Sequence, residues 1–352
     1  ISELYDLEKD FDEVHNLAEG KDLTYLKKVL NQLLKTQSFE ESAKAKQRSD
    51  TRSLEKLRSL GYIANPQVAT KERYGPEDDV KILLPYHEKS MEALALCKAG
   101  KIEEGVASLR EIITKRPDMD IAYANLAYVF QWLGRLDDGL EVLREGLELL
   151  PASYDIFSSY IRMLVASGQN EKVIELFEAK NFPQMEYDAE IWNYLGLSYR
   201  KKGAFEKALM AYNMAISIDK KYPVTYNNLG TLYFSLYLKN QEQKAFQRAL
   251  QNFNKAIELD PYYASAHYSL GLAFIQSEEY DKAIASLEKA LKLQPDFSDA
   301  VYNLGVAFFK KGDFEKALPY LSKYRKEYSH LIPAEQLRQL DEMIERCKKK
   351  SN

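Results

Sequence analysis

Between residues 86 and 331 the chain repeats a pattern of about 34 residues seven times, and the stations of its smallest side chains restrict what it can fold into. Gly196, Gly230, Gly271 and Gly305 mark one point in four successive copies, 34, 41 and 34 residues apart. A leucine precedes each of them (Leu195, Leu229, Leu270, Leu304), and a ring follows three residues later (Tyr199, Tyr233, Phe274, Phe308). Alanine returns twelve residues after three of the glycines, as Ala208, Ala283 and Ala317, and Ala249 is displaced in the longer copy. Two helices approach closely only where neither carries a large side chain, and rings fill the space on either side. The pattern therefore predicts helical hairpins, each stacked on the next.

The fullest copy reads Ile191-Trp192-Asn193-Tyr194-Leu195-Gly196-Leu197-Ser198-Tyr199, followed by Gly203, Phe205, Ala208 and Tyr212. On these residues the chain resembles the tetratricopeptide repeat, a helix-turn-helix unit. The resemblance implies an all-α, right-handed superhelical solenoid with units at 86–119, 120–153, 154–188, 189–222, 223–263, 264–297 and 298–331. Pro117, Pro151, Pro261 and Pro295 supply the stop that ends the second helix of a unit. Unit 86–119 has Ala93 and Gly105 at the two small stations, which is sterically acceptable. Unit 154–188 departs from the pattern: Ile161 stands for glycine, Val173 for alanine, and the closing proline is missing, so an opened or irregular hairpin is expected. The 41-residue unit is expected to add roughly one turn to each of its helices and to project about 5 Å at one rim.

Composition narrows function. With 45% hydrophobic and 29% charged residues the chain lies near the globular average, and no apolar run is long enough for a membrane crossing. A net charge of −4, with lysines spread over helix faces, gives no field for nucleic acid. Cys97 and Cys347 lie far apart in an array where only neighbouring repeats touch, so no bridge between them is expected. His15, His87, His267 and His330 have no ligand spacing, and His267 is expected to be a packed core residue. No cofactor, metal or catalytic residue is expected.

Residues 1–65 stand outside the repeat. They contain Glu3-Leu4-Tyr5-Asp6-Leu7-Glu8-Lys9-Asp10, then Asn16-Leu17-Ala18, and close with Leu57-Arg58-Ser59-Leu60-Gly61-Tyr62-Ile63. That order resembles the C-terminal tail of a sulfatase of the alkaline phosphatase superfamily, with Phe11 replacing the usual proline. The resemblance implies an N-terminal strand over residues 2–7 in a chain that begins mid-strand, as a piece of a longer protein, and an exported location. The catalytic motif of that family, Cys or Ser followed by x-Pro-x-Arg, is absent: Cys97 precedes Lys98-Ala99-Gly100 and Cys347 precedes three lysines.

Leu23, Leu26, Leu30, Leu33 and Leu34 predict an amphipathic helix over 22–36, and Ser53 can cap a short helix carrying Leu54, Leu57 and Leu60, with Gly61 as its stop. Residues 1–20 hold seven acids against one lysine, whereas residues 21–85 hold thirteen basic and nine acidic groups. Residues 66–85 read as a linker into the first repeat. At the far end, Leu337, Leu340, Met343 and Ile344 predict a helix from Ala334 to about Lys348 that covers the exposed edge of the last repeat.

In tetratricopeptide arrays partner contacts lie on the concave side, lined by positions 2, 5, 9, 12 and 13 of each first helix. By resemblance those positions are here Tyr128 and Trp132, then Arg162, then Asn193, Arg200 and Lys201, then Asn227, Thr231 and Phe234. The last two repeats add Tyr268, Leu272, Ile275, Tyr302, Val306 and Phe309. The lysine, asparagine and arginine clamp that grips a terminal carboxylate in some members is not found. The expected function is a non-catalytic scaffold that binds a protein or peptide segment in this groove. The alternatives are an accessory region for a sulfatase-like catalytic domain and a subunit that assembles with itself through its N-terminal segment.

Overall fold

The computed structural model describes residues 80–179 and 186–351. The chain divides into two compact units, Ile1–Ala69 and Thr70–Asn352, and every described residue belongs to the second. The strand expected at 2–7, the helices expected at 22–36 and 53–60, and the sulfatase-like tail all lie outside the described residues.

The second unit is a run of seven antiparallel helix pairs. They are α1 (Val80–Lys98) with α2 (Ile102–Lys115), α3 (Asp120–Trp132) with α4 (Leu136–Leu149), and α5 (Tyr154–Ala166) with α6 (Asn170–Glu178). Next come α7 (Ala189–Lys201) with α8 (Phe205–Ile218), α9 (Pro223–Asn240) with α10 (Gln243–Leu259), α11 (Ala264–Gln276) with α12 (Tyr280–Leu293), and α13 (Ser298–Lys311) with α14 (Phe314–Tyr328). After a 3-10 turn at Ser329–Leu331, α15 (Ala334–Ser351) closes the array. Among the described residues there is no strand.

Each small residue lies where another side chain presses against the backbone. A Cβ placed on Gly196 would lie 2.6 Å from the Tyr212 ring, one on Gly230 2.6 Å from Phe253, and ones on Gly271 and Gly305 2.7 Å from Leu287 and Leu321. A large residue of the second helix thus fills the hollow left by the glycine of the first. In the first hairpin the relation is reversed, with Gly105 of α2 lying under the Cys97 sulfur of α1. Between the two helices of a pair the chain must reverse in a few residues. Five of the seven turns use a glycine with φ between +73° and +88°, a left-handed conformation that L side chains resist. In the fifth and sixth pairs Gln241 (φ 58°) and Glu278 (φ 62°) take that conformation instead.

The 41-residue unit is an elongated hairpin. Its helices α9 and α10 have 18 and 17 residues, against 13 and 14 in α7 and α8. The extra residues lengthen the two helices by about 7 and 5 Å at 1.5 Å per residue. The Tyr237 and Phe246 rings, 4.8 Å apart, pack the added turn. In the third pair the second helix, α6, has only nine residues, in keeping with Val173 at a station that other units keep small.

Two boundaries differ from those read in the sequence. The first helix begins at Val80, inside the stretch assigned to the linker, because Val80, Ile82, Leu83 and Leu84 are four apolar residues ahead of Pro85. Pro85 is the sixth residue of this helix, so it removes one internal N–H bond about a turn and a half from the start. The last helix runs to Ser351 rather than ending near Lys348, so Lys348, Lys349 and Lys350 form its last turn and face its negative end.

Leu340, Ile344 and Cys347 of α15 are buried against the seventh pair, and Arg325 of α14 donates to Asp341 at 2.7 Å. The last repeat therefore does not present its apolar edge to water. Cys97 and Cys347 are both buried free thiols, and burial pushes the pKa of each upward. His267 is not a core residue. It is half-buried, and its Nε2 lies 3.1 Å from the Pro261 carbonyl, which ties α11 to the loop before it.

Candidate partner-binding face

The odd-numbered helices α1 to α13 are the first helices of the pairs, and each packs beside the first helix of the next pair. Each even-numbered helix packs on the following odd-numbered one. One side of every odd-numbered helix is left facing away from these neighbours. Where a large side chain lies on that side, it is available to another molecule.

On α3, Ala122, Tyr123, Leu126, Ala127, Val129 and Phe130 are buried, while Tyr128 and Trp132 are 52% and 57% exposed. Four residues apart, these two rings share one helix face. Rings left in water at such a level are unusual in a packed helix and supply broad, stiff, amphipathic contact area.

The middle of the face is polar. Arg162 of α5 lies 3.5 Å from the Glu190 carboxylate of α7, and the Tyr194 hydroxyl donates to the same carboxylate at 2.6 Å. Asp188 accepts from the backbone N–H groups of Glu190 and Ile191, capping α7, and from the Tyr154 hydroxyl at 2.7 Å. Burial first, and then the neighbouring carboxylates, push the hydroxyls of Tyr154 and Tyr194 above the ordinary tyrosine value, so both are neutral donors at physiological pH. The Nε atoms of Arg162 and Arg200, together with Thr225 Oγ1 and Asn227 Oδ1, make no hydrogen bond among the described residues. The Arg200 guanidinium lies beside the Tyr212 hydroxyl without a bond of normal geometry between them, and burial pushes that hydroxyl up to about 12.

Two residues placed on the face by sequence position are withdrawn from it. Asn193 is 1% and Asn227 7% exposed. Asn193 serves packing, because its side-chain oxygen accepts from the Asn228 amide of the next pair at 3.0 Å. The same device recurs along the array: Asn125 donates to Ser90 at 2.9 Å and Asn303 to the Tyr268 hydroxyl at 3.2 Å. In each case the donor lies 35 residues after the acceptor, so at three of the six junctions an asparagine fixes the stagger of adjacent pairs. Lys201 is exposed, and Thr231 is half-buried with its hydroxyl donating to the Asn227 carbonyl.

In the C-terminal half, Phe234, Leu272, Ile275 and Val306 are half-buried on successive odd-numbered helices and form an apolar strip. Tyr268, Tyr302 and Phe309 are also half-buried but partly occupied by packing. The ring of Tyr268 lies 4.7 Å from Phe297, that of Tyr302 5.0 Å from Tyr324, and that of Phe309 5.5 Å from Phe314. The Arg346 guanidinium of α15 lies over Phe309 at 5.3 Å, so the capping helix covers the end of the strip. Met91 of α1, 53% exposed, was not singled out by position. Its signal was an unbranched apolar residue three before Leu94 and seven before Lys98 on a face otherwise read from five fixed positions.

Models of the tetratricopeptide repeat match residues 90–154 and 268–331, and a second model of the same repeat matches 196–236 and 242–277, together more than half of the chain. The chain is a tetratricopeptide repeat protein. Among curated proteins it is similar to a TPR repeat-containing protein of Methanocaldococcus jannaschii, at 25% identity over 130 residues. That stretch is 37% of this chain and 23% of the relative, so the chain spans about a quarter of that protein's length. Among solved structures it is similar to the APC/C hetero-tetramer Cut9–Hcn1, with a TM-score of 0.57 and 14% identity over 78% of this chain and 56% of that one. A tetratricopeptide repeat protein from Parabacteroides merdae gives a TM-score of 0.55 at 15% identity, covering 74% and 99%. At these identities the likeness is one of fold. Tetratricopeptide arrays are protein-interaction scaffolds and generally carry no chemistry of their own. No described helix of this tetratricopeptide protein is long and apolar enough to cross a membrane.

Proposed function

We propose that this chain binds a segment of a protein partner along the open side of its odd-numbered helices, with Tyr128 and Trp132 as anchors at one end and the apolar strip of Phe234, Leu272, Ile275 and Val306 at the other. The observation that carries the reading is the pair of half-exposed rings on α3, a helix otherwise buried along its length. Large rings at the centre of a contact supply most of its binding energy. Between the two apolar ends, the exposed Lys201 offers a donor to a partner's carbonyls or carboxylates.

The test is a selection of peptides from a random displayed library against the full chain, followed by calorimetry of the selected peptide. Trp132→Ala and Ile275→Glu should each weaken binding about tenfold or more, while Lys289→Glu on α12 leaves it unchanged. Equal affinity for all three variants would refute the reading. A second reading, as the accessory region of a sulfatase-like enzyme, rests on Glu3 to Asp10 and Asn16 to Ala18. A Cys/Ser-x-Pro-x-Arg motif encoded ahead of Ile1 would support it, and an unrelated domain there would exclude it.

A further inference from the structure

The apolar core of the array falls into clusters, and a break between two of them lies in the fourth pair. The first cluster runs through pairs one to three and ends on α7, at Ile191 and Tyr194. The next begins on the far half of the same helix, at Tyr199, and joins Ala208 and Tyr212 of α8 to Leu229 and Leu232 of α9. These two clusters have no residue in common. Farther along the core is continuous: Tyr233 packs on the second cluster and on the third, and Phe274 on the third and on the last.

Polar groups occupy the break. Of the six buried polar residues among those described, Asn193 and Ser198 lie on α7 and Thr225 and Asn227 on α9. The buried side-chain atoms that make no hydrogen bond among the described residues are Arg162 Nε, Arg200 Nε, Tyr212 Oη, Thr225 Oγ1 and Asn227 Oδ1, all on α5, α7, α8 or α9. Toward the third pair, the first half of α7 is held by apolar contact, including the Phe177 and Trp192 rings 4.6 Å apart. Beyond that half, the nine-residue α6 is joined to the fourth pair by Glu171 with Lys202, by Glu178 with Lys207 at 4.0 Å, and by the Tyr199 hydroxyl donating to Glu178 at 3.5 Å. All four charged side chains are at least 46% exposed, and exposed ion pairs contribute little to holding two elements together. Parting apolar surfaces costs free energy in proportion to the area bared to water, whereas parted polar groups gain the hydrogen bonds they lack. The fourth pair is therefore the least costly place for the array to bend.

We infer that the fourth pair is a hinge about which pairs one to three and pairs five to seven swing as two bodies, with the Ile191 and Trp192 end of α7 as the pivot. Each pair touches only its neighbours, so a bend at one place leaves the packing on either side intact. A few residues suffice to absorb such a motion. The bend alters the spacing between Tyr128 and Trp132 on one body and Leu272 and Val306 on the other whether or not a partner is seated, so the inference stands apart from the binding role proposed above.

Pulsed electron spin resonance on the full chain, with spin labels on two introduced cysteines, tests it. The native thiols Cys97 and Cys347 are buried and the label sites are exposed. Glu175→Cys with Gln251→Cys spans the fourth pair, from α6 to α10. Arg110→Cys with Glu175→Cys, and Gln251→Cys with Lys323→Cys, span two pairs within one body each. The crossing pair should give a distance distribution at least about twice as wide as the other two. Thr225→Val with Asn227→Leu makes the break apolar and should narrow the crossing distribution alone. Thr225→Val by itself, which keeps the shape of the side chain, should narrow it in the same direction. Thermal unfolding of each labelled chain checks that the fold is intact. Equal widths for the three label pairs, or a crossing width that the Thr225 and Asn227 changes leave as it was, would overturn the inference.

Discussion

Replacing Gly196 with alanine separates local from tertiary control of this fold, because the two predict opposite signs. Glycine within a helix costs about 1 kcal/mol relative to alanine, so α7 considered alone should gain that amount. In the folded chain the new Cβ would lie 2.6, 2.7 and 3.0 Å from Cε1, Cδ1 and Cζ of Tyr212. Carbon atoms in contact prefer about 3.5 to 4.0 Å, so ring and helix must part by about 1 Å. The Tyr212 ring is fully buried and has no space into which to turn. Overpacking of this kind costs about 1 to 3 kcal/mol, which leaves a net loss of about 1 kcal/mol after the propensity gain. Urea unfolding of the full chain gives the global value, and amide exchange in α7 and α8 localises it, since repeat arrays do not always unfold as one unit. The same change made on Tyr212→Ala should be stabilising, as the obstacle is gone. Stabilisation of the unaltered chain by Gly196→Ala would refute the packing argument.

Glu278→Gly should stabilise the protein by about 0.5 to 1 kcal/mol, seen as a higher urea midpoint, because a left-handed residue loses its side-chain strain there. Tyr212 is un-ionised in the fold up to about pH 12 and ionises near 10 when unfolded. The unfolded state therefore gains as pH rises through that window, and stability that is complete below pH 10 should fall by about 2 kcal/mol by pH 12. Tyr212→Phe should flatten this alkaline limb in pH-dependent unfolding and cost little at neutral pH, since the buried hydroxyl makes no hydrogen bond. Asn228→Ala should lower stability by about 1 kcal/mol through loss of the bond to buried Asn193.

The fold was legible because tetratricopeptide packing depends on residue size at fixed intervals, which a sequence states directly. Gly196, Gly230, Gly271 and Gly305 meet large side chains of the partner helix as the spacing implied, and the 41-residue unit lengthens both helices of its pair. Element ends were less visible: the four apolar residues among the five before Pro85 can continue a linker or begin a helix, and only contact with the array decides. Helical phase alone accounts for the exposure of Tyr128 and Trp132. It does not account for the burial of Asn193 and Asn227, because position within a repeat specifies the side of the helix but not whether the next repeat covers it. Asn228 completes that cover, and no property of Asn193 announces it. Met210 and Met214 of α8 were overlooked for a related reason: they are ordinary core residues by composition, and their exposure becomes evident only when the buried side of the same helix is seen to be filled by Ala208, Ala211, Tyr212 and Ala215.

The central claim, a scaffold that grips its partner along the first helices of its pairs, is tested most directly by hydrogen exchange of the full chain with and without a saturating selected peptide. Slowed exchange concentrated in α3, α7, α9, α11 and α13, with α4, α8 and α12 unchanged, is the predicted result. Protection confined to the even-numbered helices, or none in the array while the peptide is bound, would contradict it.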